Sequence, residues 1–468
     1  MKNRFNRLTS KEWLPFQKSW FRYDADERLY LDNLRFFTKA EPTHEKVLYY
    51  GDQFEAFKSI AETQEISTTV SFDSEDEFQF IVIDIRSEIA ACQTLESYYE
   101  IRTKIIDFAI QAFNRLTHRR FLTVYIQNQT IANQYYPFAW DLAWHLASIY
   151  SLKDEKIACK PIDQGSAMHH PEQHLFYVLH FRKDENSSGV YQLQTNTLCY
   201  THDSKVPERS QVNIPGWFIL KPAPRKKNEI LHPAKYPEEL VSMFLDNFTL
   251  ENQNILDPMS GTGSTQVAAL KKGRNAFGTE LSPFFAKIAQ QRCQDLVAPN
   301  QPDLFSLPSK QQHKIINKDA RLINKDDFPS IDYVITSPPY WDMLNMKGAE
   351  NQAKRVEKGL QTNYSDDQED MGNIADYDAF LEDLTDVYFN IYDLMPTNAV
   401  MTIVVKNIKK KGKNYPFAWD LADRLCKKMV LLPEVFWCQD DINLAPYGYG
   451  NTFVSNTFHQ YCLNFVKL

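Results

Sequence analysis

The octapeptide Tyr-Pro-Phe-Ala-Trp-Asp-Leu-Ala occurs twice in this chain, at residues 136–143 and again at 415–422. An eight-residue identity containing tryptophan does not arise by chance, so the chain must fold as two copies of one unit. The offset of 279 residues also holds upstream, where it pairs Tyr98 with Tyr377, Thr123 with Thr402 and Asn128 with Asn407. Downstream, after a five-residue change of length, Tyr-Val-Leu-His-Phe-Arg-Lys at 177–183 parallels Tyr-Cys-Leu-Asn-Phe-Val-Lys at 461–467. Each copy reads as a helix, an apolar strand (121–127; 400–405), a helix opening at proline and two β-rich segments. Repeats of about 20–50 residues are absent, so this is a duplicated domain and not a solenoid. The polar stretch 183–215, with Asn-Ser-Ser-Gly at 186–189, serves as linker. It divides the chain into an amino-terminal copy, about 1–200, and a carboxy-terminal copy, about 201–468.

The second copy carries a glycine turn at the end of a short strand. Gln253-Asn-Ile-Leu-Asp257 leads into Pro258-Met-Ser-Gly261-Thr262-Gly263-Ser264-Thr265 and then a helix over 266–272. Gly261 and Gly263 allow backbone to approach a ligand at the carboxyl end of a strand, where open α/β sheets bind cofactors. A second strand, 275–279, ends in Glu280, 23 residues after Asp257, at the spacing of an acid that accepts from ribose hydroxyls. A third, 314–317, is followed by Asp319, placed to meet an adenine edge. No lysine follows the glycines in the manner of a phosphate-cradling loop. Acidic groups around the turn suit a cationic sulfonium better than a triphosphate.

A fourth strand, 331–336, runs into Ser337-Pro338-Pro339-Tyr340-Trp341. Two prolines fix the backbone there, and Tyr340 follows as a flat stacking surface. An amine on an aromatic base is a poor nucleophile because its lone pair is delocalised. Acceptors at Ser337 Oγ and the Pro338 carbonyl would hold its protons and turn the lone pair toward a methyl donor. A base within a duplex cannot reach such a pocket, so base flipping is implied.

These two stretches, residues 257–265 and 337–340, resemble motifs I and IV of the amino-methyltransferases that act on DNA. His-Pro-Ala-Lys-Tyr-Pro-Glu-Glu at 232–239 resembles motif X, which implies that Tyr236 helps close the methionine end of the cofactor pocket. The resemblance covers about 230–468. It implies a Rossmann-like doubly wound α/β sheet with S-adenosylmethionine as cofactor. Asp257, Pro258, Gly261, Thr262, Gly263, Ser264 and Thr265 would lie around methionine, Glu280 on ribose and Asp319 on adenine. Serine before Pro-Pro-Tyr is similar to the cytosine-N4 branch, whereas adenine-N6 members carry Asp or Asn. The expected function is methylation of double-stranded DNA at cytosine N4, in host-DNA marking or defence beside a restriction partner. Adenine N6, an RNA substrate and a non-catalytic DNA-binding regulator are the alternatives.

The first copy departs from the pattern. Its strand at 80–84 leads to Ile85-Arg86-Ser87-Glu88, and the strand at 46–51 lacks the Gly-x-Gly turn. One active site is therefore expected. The degenerate copy either helps hold DNA or is kept for packing, and the shared octapeptide is assigned to the core. Trp341 and the lysines Lys409, Lys410 and Lys411 are the expected DNA contacts. Basic runs at 118–120, 225–227 and 406–413 supply local positive charge in a chain of net charge -8, which as a whole is not that of a polyanion binder. The insert 342–376 and the loop 441–457 are further candidates for target recognition.

Composition narrows the remaining classes. No window approaches the roughly 20 apolar residues of a membrane span, and the polar, basic first ten residues carry no signal-peptide pattern. Seven cysteines, without a Cys-x-x-Cys pair, point to a reducing cytoplasm and away from a disulfide framework or zinc. No metal is expected.

Overall fold

Two mixed sheets carry the fold, one from each copy. In this computed structural model the described residues are 6, 8–39, 41, 43–73, 75–162, 171–184, 206–221, 236–297, 311–341, 370–410, 412–440, 444 and 454–468. The first sheet runs, edge to edge, Trp20–Arg22, Ser151–Cys159, Leu175–Arg182, Leu116–Ile126, Phe78–Asp84, Lys46–Tyr50 and Thr68–Thr69. The second runs Trp217–Ile219, Val430–Cys438, His459–Val466, Val400–Val405, Tyr333–Thr336, Asn254–Asp257, Asn275–Glu280 and His313–Asn317. Position by position the strand directions agree. The outer pairs are parallel, the third strand is antiparallel to both neighbours, and the strands beyond are parallel. The fold is thus an α/β, Rossmann-like doubly wound sheet beside a degenerate copy of itself. Among the described residues, only the second sheet has an eighth strand.

The central strands Phe78–Asp84 and Val400–Val405 are buried at every residue, which demands cover on both faces. Part of that cover is the octapeptide. Its helices, Phe138–Ala147 and Phe417–Leu425, each begin directly after the proline. Asn128 Oδ1 accepts from the Ala139 amide at 2.9 Å and Asn407 Oδ1 from the Ala418 amide at 2.8 Å. Each thereby satisfies a first-turn N–H that has no partner within the helix. Paired residues do the same work in both copies: the Tyr98 hydroxyl donates to Asp141, and that of Tyr377 to Asp420.

The copies face each other about a pseudo-two-fold axis. Trp140 and Trp419 stack at 6.2 Å between ring centroids and 13° between planes. Asn128 donates to Glu434 Oε1 at 2.9 Å, and Asn407 to Glu155 Oε1 at 2.8 Å. The Tyr177 hydroxyl also reaches Glu434, and that of Tyr461 reaches Glu155. At the edges, Trp20 Nε1 donates to the Gln439 carbonyl and Trp217 Nε1 to that of Lys160. Both glutamates are almost fully buried, so each must be hydrogen-bonded to be tolerated. One apolar cluster runs through both copies. Among the described residues no helix is long and apolar enough to cross a membrane, and no cluster of His, Cys, Asp and Glu is arranged to hold a metal.

Candidate active site

Strand order brings the two sequence motifs together. Tyr333–Thr336 and Asn254–Asp257 are adjacent parallel strands, so the turns that follow them open at the same end of the sheet. A hydrogen bond links them directly: Thr336 Oγ1, one residue before Ser337, donates to Asp257 Oδ1 at 2.7 Å. Asp257 is 1% exposed and also accepts from Tyr236 Oη at 2.9 Å, Thr265 Oγ1 at 2.6 Å and the Met259 amide at 3.0 Å. Burial raises its carboxyl above the usual range, and these donors pull it back only in part. The hydroxyl oxygens of Tyr236 and Thr265 also lie against each other. Both side chains act from beneath the turn, holding Asp257.

The turn itself needs its glycines. Gly261 and Gly263 have φ of 54° and 79°, the left-handed region that a side chain disfavours. A Cβ on Gly263 would also lie 2.9 Å from Cβ of Ala289 on the next helix. Thr262, Ser264 and Thr265 are buried, and Ser264 and Thr265 open the helix Ser264–Lys271. Glu280, at the end of the next strand, accepts from the Gly261 amide at 2.8 Å and the Ser282 amide at 2.9 Å. Burial pushes its carboxyl up to about 7, with the backbone donors opposing and the negative charges of Asp257 and Asp370 adding to the rise. Asp319 lies just past the edge strand His313–Asn317, gripped by Arg321, whose Nε donates to Oδ1 and whose terminal nitrogen donates to Oδ2; Arg321 also holds Asp383.

On the other side of the opening, Ser337 Oγ lies 3.3 Å from Tyr340 Oη, which donates to Gln460 Oε1 at 2.8 Å. Burial moves the Tyr340 phenol up to about 12, so it stays protonated and directed at Gln460. The ammonium of Lys406 sits 5.2 Å from the Tyr340 ring centroid.

The expected DNA contacts are placed differently. Trp341 is 4% exposed and packs in a trio with Tyr377 and Tyr415, at 5.2 and 5.0 Å between centroids. Lys410 Nζ lies 3.6 Å from the Trp341 ring centroid. Trp341 is thus packed inside the protein and does not present a free face. Lys409 pairs with the fully buried Asp154 of the first copy and donates to the Ser455 carbonyl, so its charge is used inside the protein. Lys411, residues 232–235, most of the insert 342–376 and most of the loop 441–457 lie outside the described residues.

In the first copy the equivalent opening is filled. Sheet register puts Asp84 where Ser337 stands and Tyr49 where Asp257 stands. Arg86 bonds both oxygens of Asp84, at 2.8 and 2.5 Å, pairs with Asp26 at 2.7 Å and lies over the Phe176 ring at 4.7 Å. The Tyr30 hydroxyl donates to Asp84 as well. No oxygen of Asp84 is left for a substrate amine without breaking this set.

Sequence reasoning missed Thr336 and Gln460, and read Lys406 only as part of the basic run 406–413 and not as a neighbour of Tyr340. A threonine ending an apolar strand carries no motif, and Gln460 and Lys406 lie far along the chain from Tyr340.

A mostly parallel sheet with a glycine turn at the carboxyl end of its strands is the fold of the Rossmann-like methyltransferases. Within that class the family model for DNA methylase, N6_N4_Mtase, matches residues 49–291, and the chain belongs to that family. The match takes in the opening of the first copy and the glycine turn of the second. The chain is 32% identical over 87 residues to the putative methylase YubD of Escherichia coli (strain K12), covering 19% of this chain and 35% of that protein. It is 30% identical over 122 residues to the type II methyltransferase M.MthZI of Methanothermobacter thermautotrophicus, covering 25% and 33%. The chain spans about a third of the length of these two relatives. Among solved structures it is similar to a putative rRNA-methylase from Clostridium thermocellum, with 14% identity, TM-score 0.31, and 51% and 100% of the two chains covered. It is also similar to magnesium protoporphyrin IX methyltransferase from Synechocystis PCC 6803 with bound SAM, with 12% identity, TM-score 0.30, and 49% and 77% covered.

Proposed function

We propose that this chain transfers the methyl group of S-adenosylmethionine to the exocyclic amine of a DNA base turned out of the duplex, with cytosine N4 as target. The hydrogen bond from Thr336 to Asp257 carries the reading, because it ties the glycine turn to the Ser-Pro-Pro-Tyr bend. The residues present fit the cofactor. Neither Asp257 nor Glu280 is paired with a cation among the described residues, and a positively charged ligand bearing ribose hydroxyls answers both. Asp257, Pro258, Gly261, Thr262 and Gly263 would surround its methionine end, with Ser264, Thr265 and Tyr236 setting the turn beneath. Glu280 would take the ribose and Asp319 the adenine. When bound, the cofactor supplies an electrophilic methyl.

The chain's own part is orientation. Ser337 Oγ and the Pro338 carbonyl accept the amine protons, Pro339 stiffens the bend and Tyr340 stacks on the ring. Serine at the head of the bend supports cytosine N4. The family and the named type II methyltransferase support DNA as partner; a cognate restriction component and a cytoplasmic location belong to the proposal.

Incubating the purified chain with tritiated cofactor and mixed DNA, followed by nucleoside analysis, tests this. Label in N4-methylcytosine is expected. Label in N6-methyladenine would reassign the base, and label confined to added RNA would overturn DNA as substrate.

A further inference from the structure

Lys406 stands at the mouth of the proposed base pocket with no carboxylate of the described residues to occupy it. It follows the buried strand Val400–Val405, beside the strand that delivers Ser337. Its backbone is held by the next residue: Asn407 is 2% exposed and bonds both Glu155 and the Ala418 amide. The ammonium lies 5.2 Å from the Tyr340 ring centroid. Lys409, three residues on, is by contrast tied to Asp154. Lys406 is half-buried, and burial lowers its affinity for a proton, so a cation held there lacks both full hydration and a counter-charge. The first copy, whose opening is plugged, has neutral Gln127 at the equivalent position, 279 residues earlier.

A ring stacked on Tyr340 has its centroid roughly 4.5 Å or more from that of the tyrosine. A cation over the Tyr340 ring, 5.2 Å from its centroid, is therefore within reach of the edge of a ring stacked there. With the amine at Ser337, the groups left along that edge of a cytosine are the ring nitrogen and the 2-carbonyl oxygen, both acceptors.

Resting on the function proposed above, we infer that Lys406 is a base-reading residue that donates to the 2-carbonyl oxygen of the everted cytosine. The contact orients the ring so that its amine meets Ser337. It also favours a pyrimidine carbonyl over adenine, which has none.

The test compares full-length wild type with Lys406→Met and Lys406→Arg on a duplex site that the wild type methylates. The target is either cytosine or 2-thiocytosine, whose sulfur is a poor acceptor. Cofactor affinity by calorimetry and melting temperature should match wild type in both variants. On cytosine, Lys406→Met should lose about tenfold or more in kcat, the scale of one charged hydrogen bond, and Lys406→Arg should recover part of it. On 2-thiocytosine the wild type should fall by a similar factor, while Lys406→Met should not distinguish the two bases.

Wild-type kcat and KM in Lys406→Met would overturn the inference, as would equal sensitivity of both proteins to sulfur. So would a loss felt only as weaker DNA binding with a salt slope lower by about one, the signature of a phosphate contact. If Lys406→Met fails to fold, the sulfur comparison between wild type and Lys406→Arg decides alone: no loss in the wild type overturns the inference. Methylation of adenine alone would remove the carbonyl while leaving the enzyme a DNA methyltransferase. Absence of label in any DNA would overturn the function itself, and the inference with it.

Discussion

At the scale of single residues, the site is organised by two buried carboxylates whose surroundings differ. Asp257 is saturated with internal donors and sets geometry, whereas Glu280 keeps capacity for a ligand and titrates near neutrality. The sign follows from charge. Above about 7 Glu280 is ionised and attracts a cation and hydroxyl donors; below it, the neutral acid does so less well. Cofactor affinity should therefore weaken as pH falls from about 8 to about 6, and Glu280→Gln should flatten that dependence while lowering affinity at the alkaline end; titration calorimetry at several pH values checks both. Ser337→Ala, which removes one positioned acceptor, should cut kcat by roughly 10²–10³ while leaving cofactor affinity unchanged, as single-turnover kinetics beside calorimetry would show.

At the scale of elements, the glycine turn and the bend after Thr336 were legible from sequence because each is a local device: a strand end, a left-handed glycine, a proline pair. The doubly wound order around them was legible for the same reason, since strands alternate with helices along the chain. The role of the octapeptide was only half legible. Its aromatic and apolar content marks it as core, but that Trp140 packs on Trp419 depends on how the copies meet. The sequence suggests that Trp341 and Lys409 face DNA because aromatic and basic residues beside the Ser-Pro-Pro-Tyr bend look exposed in one dimension. Tyr377, Tyr415 and Asp154, which cover or neutralise them, lie 36 to 255 residues away in the chain. Gly263→Ala tests the turn: a Cβ against Ala289 and an unfavourable φ should cost about 1–3 kcal/mol, measured by denaturant unfolding.

At the scale of the molecule, charges that cross between the copies are part of the fold. Burial alone would raise the carboxyl of Asp154, but the ammonium groups of Lys409 and Lys156 outweigh it and hold it at about 2. Its folded pKa is below the unfolded value of about 3.9. The stability it contributes is therefore present above that value and is lost as pH falls toward about 2. Lys409→Met, leaving Asp154 without its cross-copy partner, should destabilise the whole chain by about 3–5 kcal/mol. Combining Lys409→Met with Asp154→Asn should recover part of that loss in a double-mutant cycle.

The contacts about the pseudo-two-fold axis are isologous: the same patch on each copy, Trp140 against Trp419 and Asn128 and Asn407 each reaching the other side, meets itself. That is the arrangement of a homodimer, here written into a single polypeptide. Joined in this way, the partners are always present in equal number and at fixed distance, so one can surrender its chemistry without the assembly losing its shape. A symmetric pair would have two identical openings; this tethered pair has one opening and one sealed face, and so presents any partner with a surface that has a built-in direction.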